Sequence, residues 1–204
     1  MRFKLTITLT FLLLTFSMRA QVREYTQHIS RSFRVTGSTT VDIVNKYGKV
    51  QVIQWDVDSV KFIIDMRIRA KDNQKLEKLK QGVDFEFTPG QYYVQARTTF
   101  GDGGSDVFKD IVDIAGSYLS SSNSVTINYT VMVPRRISIK IENKFGDVFF
   151  DDLQGSLNLI LSYGNLKANR LEGRSDIKIT SGDSDVGYMK EGQFWDVPLR
   201  NGQY

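Results

Sequence analysis

The sequence has no cysteine, a single histidine and only three prolines among its 204 residues. Without cysteine the chain can form no disulfide and carry no lipid on an N-terminal cysteine, so its stability must come from buried apolar side chains. His28 has no second histidine or cysteine with which to share a metal ion, and we expect it at the surface. We therefore predict no metal site and no cofactor. An arrangement of catalytic side chains is also missing, and we expect a protein that is not an enzyme.

An extended apolar run occurs at the start of the chain, from Leu5 to Phe16. It is too short to cross a bilayer as a helix. It follows a positively charged start and precedes a short polar region, which is the order of a secretory signal peptide. We interpret residues 1–20 as a signal peptide and expect export to the periplasm, the outer surface or the medium. An uncleaved anchor is the alternative.

A strong excess of positive charge is missing from the mature chain. The formal net charge is +4, and Arg2, Lys4 and Arg19 contribute three of these charges within the signal, which leaves the mature chain near +1. Lysine and arginine are mixed with aspartate and glutamate elsewhere, without a block of like charge. This pattern argues against nucleic-acid binding.

The region 21–135 has the alternating, β-branched pattern of half-buried strands. One short helix is predicted over residues 72–81, with Asp72 as its N-cap and Gly82 as its stop. Such a short helix needs support, and we expect it to pack on the hairpin that turns at Pro89-Gly90. Residues 101–106 and 120–124 have the glycine and serine content of loops, and we predict an exposed, mobile loop over residues 99–124, with a marginal helix over 107–119 as the alternative for its middle.

Three stretches near the C-terminus repeat at a spacing of 18 residues. They are Asn143-Lys144-Phe145-Gly146-Asp147-Val148, Leu161-Ser162-Tyr163-Gly164-Asn165-Leu166 and Ile179-Thr180-Ser181-Gly182-Asp183-Ser184. Two apolar columns keep the same spacing: Leu153, Leu171 and Met189, and Ile141, Leu159 and Ile177. A unit of this size cannot bury its own apolar face, so successive coils are expected to stack and share a core. An earlier copy, Asn45-Lys46-Tyr47-Gly48, predicts a further rung.

The predicted fold is mainly all-β. A β-solenoid or β-helix-like stack of about 18-residue coils over 136–192 follows the β-rich region with its one helix. Residues 193–204 are expected to form an irregular tail or a truncated end. At each corner we expect the glycine to adopt a positive φ and the aromatic residue beside it to stack on its equivalent in the next coil.

The motifs resemble those of a known family. They are Asn45-Lys46-Tyr47-Gly48, the Tyr129–Pro134 strand with its Val-x-Val-Pro ending, Asn143-Lys144-Phe145-Gly146-Asp147-Val148 and Leu161-Ser162-Tyr163-Gly164-Asn165-Leu166. They are similar to the exported bacterial β-strand-repeat proteins called putative adhesins, a domain of unknown function, and to its Bacteroidetes-type members in particular. The resemblance implies a repeat fold and an envelope location. It carries over no catalytic residue and leaves the binding residues unknown.

Three functions follow as hypotheses. The first is a non-enzymatic envelope or cell-surface protein that presents a β-solenoid face for adhesion to an envelope or surface partner, either a protein or a glycan. The alternative is a self-assembling envelope scaffold whose solenoid ends pair with one another. The third is a carbohydrate-active β-helix enzyme.

Two groups of carboxylates are candidates for chemistry. Asp102 and Asp106 lie in a glycine-rich stretch, but two carboxylates provide too few oxygens for Ca²⁺, so a solvated turn is favoured. Asp151-Asp152 and Asp183-Ser184-Asp185 suggest the acid and base of a glycan-degrading enzyme. Neighbouring strand residues should face opposite sides, which argues against a pair at Asp151 and Asp152.

Tyr47, Phe145 and Tyr163 occupy equivalent positions in the repeat. They could form an exposed stripe on which a glycan stacks. They could also form an aromatic ladder at a corner of the fold, and we favour the ladder.

Export leads to the first testable prediction. Mass spectrometry of the protein from the envelope of its host should find an N-terminus at or near Gln21, because residues 1–20 have the composition of a cleaved signal. An intact Met1 form recovered from the cytosol would contradict this prediction.

Overall fold

The computed structural model describes residues 22–101, 123–190 and 194–196, which form fourteen β-strands and one α-helix. The strands are β1 (Arg23–Arg34), β2 (Thr40–Lys46), β3 (Val50–Trp55), β4 (Ser59–Ala70), β5 (Val83–Pro89), β6 (Tyr93–Phe100), β7 (Ser124–Pro134), β8 (Ser138–Lys144), β9 (Val148–Leu153), β10 (Leu157–Ser162), β11 (Leu166–Leu171), β12 (Ser175–Thr180), β13 (Ser184–Met189) and β14 (Phe194–Asp196). The helix is α1 (Asn73–Gln81). Within these ranges no helix is long and apolar enough to cross a membrane. For this part of the chain, the prediction of a mainly β structure with one short helix is confirmed.

The strands form two mixed seven-stranded sheets. The first sheet has the order β1-β4-β7-β3-β9-β11-β13, and the second has the order β14-β12-β10-β8-β2-β6-β5. Strands β1, β4 and β7 pair antiparallel in the first sheet, as do β5 and β6 in the second, whereas all other neighbours are parallel. From β8 to β14 consecutive strands lie alternately in the two sheets. Each strand therefore lies in the same sheet as the strand two positions before it in the chain.

The parallel strands pair in the register predicted from the repeat. In the second sheet Ile141, Leu159 and Ile177 are direct partners across β8, β10 and β12. In the first sheet Leu171 pairs with Leu153 on one side and with Met189 on the other. Serine hydroxyls also meet at this spacing, since Ser156 Oγ donates to Ser138 Oγ at 2.8 Å across 18 residues. The 18-residue register is therefore confirmed.

Across the described residues, inward side chains of both sheets form a buried apolar cluster. Strands β8, β10 and β12 alternate strictly between buried and solvent-facing positions, as expected for a sheet with one face on a core. Six inward residues of β8 and β10 are all buried: Ile139, Ile141, Asn143, Leu157, Leu159 and Leu161. Burial of these apolar side chains is the main stabilising contribution in a chain without disulfides.

Helix α1 begins and ends as predicted. The Asp72 carboxylate accepts a hydrogen bond from the Lys75 backbone N–H at 2.7 Å, and the Gly82 N–H donates to the Lys78 carbonyl at 3.1 Å. Its buried residue is Leu79. The helix packs mainly on β4 and β1 and only partly on β5. The predicted support by the hairpin is thus incomplete, because the helix follows β4 directly and lies at that end of the core.

Several predicted boundaries differ in the structure. Both sheets cross the boundary at 135/136, because β2 pairs with β8 and β3 with β9. Parallel strand pairing also continues beyond residue 192, the predicted end of the repeats. There β14 pairs with β12, and Phe194 lies opposite Asp176. Of the predicted loop, Thr99 and Phe100 belong to β6 and Ser124 to β7. Residues 102–122 of that loop, with Asp102 and Asp106, the signal peptide and most of 193–204 lie outside the described residues.

The register produces a prediction about stability. Leu171 is fully buried between Leu153 and Met189, so Leu171→Ala should lower the free energy of unfolding by about 2–5 kcal/mol. Lys167, on the same strand, has a side chain that is 69% exposed. Lys167→Ala should change the free energy of unfolding by less than about 0.5 kcal/mol. Denaturant melts measure both values. Equal midpoints for the two variants would contradict the stacked core.

Candidate functional site

Four corners of the parallel stack share the same backbone conformation. Tyr47, Phe145, Tyr163 and Ser181 have φ values of 67°, 61°, 55° and 59°, and each is followed by glycine. We expected the glycines to adopt the left-handed conformation, and that expectation is wrong. The left-handed region costs a non-glycine residue about 1–2 kcal/mol. Backbone hydrogen bonds offset part of this cost, because the amides of Tyr47, Phe145 and Tyr163 donate to carbonyls of the next coil at 2.8–2.9 Å.

The corner glycines serve another purpose. A Cβ on Gly146, Gly164 or Gly182 would overlap the backbone carbonyl of the corner glycine one coil earlier. A Cβ on Gly48 would likewise overlap the carbonyl of Ile127. Only glycine allows backbones to approach so closely. The glycine column therefore sets how tightly successive coils stack.

The aromatic residues beside these glycines form a ladder. The rings of Tyr47 and Phe145 stack at 5.5 Å with an angle of 4°, and those of Phe145 and Tyr163 stack at 5.1 Å with an angle of 14°. Phe100 packs edge-on against Tyr47 at 5.6 Å. The predicted corner ladder is confirmed. Its exposure is graded, because Tyr47 is only 7% exposed whereas Tyr163 is 54% exposed.

Two lysines lie against the ladder. Lys46 Nζ is 4.8 Å from the centre of the Tyr47 ring and 5.6 Å from that of Phe100. Lys144 Nζ is 5.1 Å from the centre of the Phe145 ring and 5.9 Å from that of Tyr163. In the described part of the chain neither ammonium group has a carboxylate partner. We call this surface the aromatic corner; it comprises Lys46, Tyr47, Phe100, Lys144, Phe145 and Tyr163.

Burial and a neighbouring like charge shift the pKa values of two side chains at the aromatic corner. Desolvation, followed by repulsion from Lys144, lowers the pKa of Lys46 below its usual range. Burial also raises the pKa of Tyr47 to about 12, so that phenol stays neutral near pH 7. The corner thus presents a neutral ladder with two neighbouring positive charges at its edge.

A buried polar row fixes the aromatic corner from inside. Asn45 Nδ2 donates to the carbonyls of Ile127 and Gly48 at 3.1 and 3.3 Å. Asn143 Nδ2 donates to the carbonyls of Gly146 and Gly48 at 2.7 and 3.1 Å. The following coils have Leu161 and Ile179 at this position. The carboxamides therefore tie the first corners of the stack together.

Two further hydroxyls complete this row. Thr98 Oγ1 lies 2.8 Å from the Tyr129 hydroxyl and donates to Asn45 Oδ1 at 3.3 Å. Burial raises the pKa of Tyr129 well above its usual value. Sequence reasoning missed this network, because Thr98 and Tyr129 lie in β6 and β7, outside the repeat. A signal was available in Asn45 and Asn143, which are polar residues at inward positions.

Of the carboxylates considered as catalytic groups, Asp151 and Asp185 line one surface depression together with Lys167 and Asn169. Asp151 and Asp152 are both exposed, so the expectation that they face opposite sides is wrong. Strand β9 breaks its alternation here, since Phe150 and Leu153 on either side are both buried. Asp152 Oδ1 accepts a hydrogen bond from Asn169 Nδ2 at 2.8 Å.

Other polar groups of the described residues form surface pairs. His28 is exposed as predicted, and its Nδ1 lies 2.7 Å from Asp65 Oδ1. At the corners opposite to the ladder a depression is lined by Arg136, Gln154, Arg170, Glu172, Tyr188 and Lys190. Arg170 lies over the Tyr188 ring at 5.3 Å and 3.4 Å from a Glu172 oxygen. Within the described ranges no three His, Cys, Asp or Glu side chains are grouped to hold a metal ion.

Comparison with known proteins gives weak structural similarities. The sequence matches no protein-family model and no curated protein. A putative cell adhesion protein from Clostridium sporogenes has 8% identity and a TM-score of 0.37, with 81% of this chain and 100% of that chain covered. A putative adhesin from Parabacteroides distasonis has 10% identity and a TM-score of 0.24, with 79% and 69% covered. One from Bacteroides fragilis has 8% identity and a TM-score of 0.20, with 84% and 97% covered. At these scores the similarities do not establish a shared fold.

The buried carboxamides allow a test of the corner. Asn143→Ala should lower the free energy of unfolding by about 1–3 kcal/mol, because it removes the donor to the Gly48 and Gly146 carbonyls. Asn158 lies exposed on β10, and Asn158→Ala should cost less than about 0.5 kcal/mol. Denaturant unfolding measures the difference, and an Asn143 variant as stable as the control would contradict the role of the polar row.

Proposed function

We propose that this chain is an exported protein of the cell envelope or surface, related to the β-strand-repeat adhesins, that binds a partner without catalysis. In this proposal the parallel coils form a β-solenoid whose outer surface carries the binding function. The signal-like segment at residues 1–20 supports export, and the repeat motifs support the family relationship.

The strand pairing supports the solenoid. Consecutive strands from β8 to β14 change sheets, and each strand pairs with the one two steps further along the chain. Because equivalent residues in successive coils are direct partners, a side chain on the surface recurs at the strand spacing of about 4.8 Å. A stack built in this way presents rows of equivalent side chains, which suits an extended partner.

The observation that carries the proposed function is the aromatic corner. Its rings are held by stacking and by the glycine column behind them, so they lose little freedom when a partner binds. Aromatic residues are enriched at protein interfaces relative to the rest of the surface. Since the corner is an outer edge and not a cleft, it favours adhesion over catalysis.

Self-assembly is the second candidate. Within the described residues β13 and β14 each pair with a strand on one side only. Edge strands of this kind can pair with a second chain. If they do so, light scattering after size exclusion will give a mass that rises with protein concentration, whereas the adhesion proposal expects a constant mass.

Attachment of cells tests the proposed function. We expect a strain that lacks the protein to attach to coated surfaces less than its parent, and the full chain to restore attachment. A chain without residues 1–20 provides the control, since it should stay inside the cell and restore nothing. Equal attachment by the parent and the deletion strain would contradict the proposal.

A further inference from the structure

The aromatic ladder ends at a ring with one free face. Phe145 covers one side of Tyr163 at 5.1 Å, and the equivalent residue in the next coil is Ser181, which has no ring. In the described residues Tyr163 makes no further ring contact, and it is 54% exposed. Ser181 has φ of 59°, close to the 55° of Tyr163, so the corner itself continues while the ladder does not. Among the residues that the structure describes, the place of a fourth ring is therefore open.

Hydroxyl groups lie beside this open place. The outward row next to the ladder pairs Lys46 with Lys144, Lys144 with Ser162, and Ser162 with Thr180. Ser162 is half-buried and Thr180 is exposed. The row thus consists of two cations at the covered end of the ladder and two hydroxyls at its open end.

A sugar ring fits the chemistry of the open place. The face of an aromatic ring is electronegative, and the C–H groups on one face of a pyranose carry a small positive charge, so the two faces attract. The sugar hydroxyls at the ring edge can exchange hydrogen bonds with serine and threonine hydroxyls, which both donate and accept. Tyr163, Ser162 and Thr180 together offer these contacts.

The two lysines favour a ligand that carries negative charge. Lys46 and Lys144 are neighbours without a carboxylate partner in the described residues, and their mutual repulsion is relieved when an anion lies between or beside them. A carboxylate forms short, charge-assisted hydrogen bonds with ammonium groups. Consequently, a polymer with sugar rings and regularly placed carboxylates complements the whole row.

We infer that the aromatic corner is a binding site for an acidic polysaccharide, with a pyranose ring on the free face of Tyr163 and a uronate carboxylate at Lys144 and Lys46. This inference rests on the proposed adhesive function and names the ligand class. Nucleic acid, which also combines flat rings with anions, is the competing class. The row favours the polysaccharide because it offers a single free ring face beside hydroxyls, whereas single strands are bound by several aromatic residues in succession.

Titration of polygalacturonate oligomers into the mature protein, followed by calorimetry, tests the inference. Tyr163→Ala should weaken binding by about fivefold to tenfold. Lys144→Ala should weaken it and also reduce its dependence on salt, because one screened charge pair is lost. Tyr92→Ala is the matched aromatic control, since Tyr92 is 63% exposed at the opposite end of the β2–β6 pair and should leave binding unchanged.

A second variant separates binding from folding. Ser181→Phe places a ring in the open position, where the backbone already has the conformation of Phe145. It should weaken binding while the melting temperature stays equal or rises, because the new ring extends the ladder over the Tyr163 face and leaves a free face only about 4.8 Å farther from Lys144. Full binding by this variant would overturn the inference.

Competing ligands and strains complete the test. Equal affinity for neutral dextran or for single-stranded DNA would overturn the acidic-polysaccharide assignment, and so would loss of binding in Arg170→Ala alone, which would place the site in the opposite depression. Cell attachment distinguishes a failure of the polysaccharide inference from a failure of the proposed adhesive function. If the deletion strain attaches poorly but Tyr163→Ala restores full attachment, the inference fails and the adhesive function stands; if deletion has no effect, the function itself fails.

Discussion

Close approach of backbones at the corner glycines is the constraint on which the remaining structure depends. Each of Gly146, Gly164 and Gly182 faces the carbonyl of the corner glycine before it, with no room for a Cβ. This contact fixes the height of a coil, and the coil height fixes the register in which apolar columns meet in the core and aromatic rings meet at the surface. The same feature therefore determines both stability and the geometry of the candidate site.

The repeat made much of the parallel stack predictable. Equal spacing of glycine, apolar and aromatic residues identified the register, and Asp72 and Gly82 identified the ends of the helix. The full length of strand β1 was not predicted, because it is an edge strand whose side chains are largely polar and exposed. The pairing of β4 with β7 was also beyond local patterns, since strands so far apart in sequence are joined by the tertiary fold alone.

The candidate site was predictable only in part. Tyr47, Phe145 and Tyr163 follow from the repeat, but their graded exposure does not, because Phe100 from β6 packs against Tyr47 and no described ring covers the other side of Tyr163. The proximity of Lys46 and Lys144 likewise depends on which strands are neighbours. We assigned the positive φ at each corner to glycine, whereas the aromatic residue before it adopts that conformation. Residue preference alone takes no account of the close backbone approach that requires glycine at the next position.

Substitution of single glycines tests the central account most directly. Gly164→Ala should lower the free energy of unfolding by about 1–3 kcal/mol or more, because the new methyl group overlaps the Gly146 carbonyl. Gly37 has no atom within 4 Å of its Cβ position, and Gly37→Ala should leave stability unchanged or raise it by up to about 1 kcal/mol through the unfolded state. Denaturant unfolding should thus give effects of different size and opposite direction. Equal effects would show that the glycine column does not set the stacking of the coils.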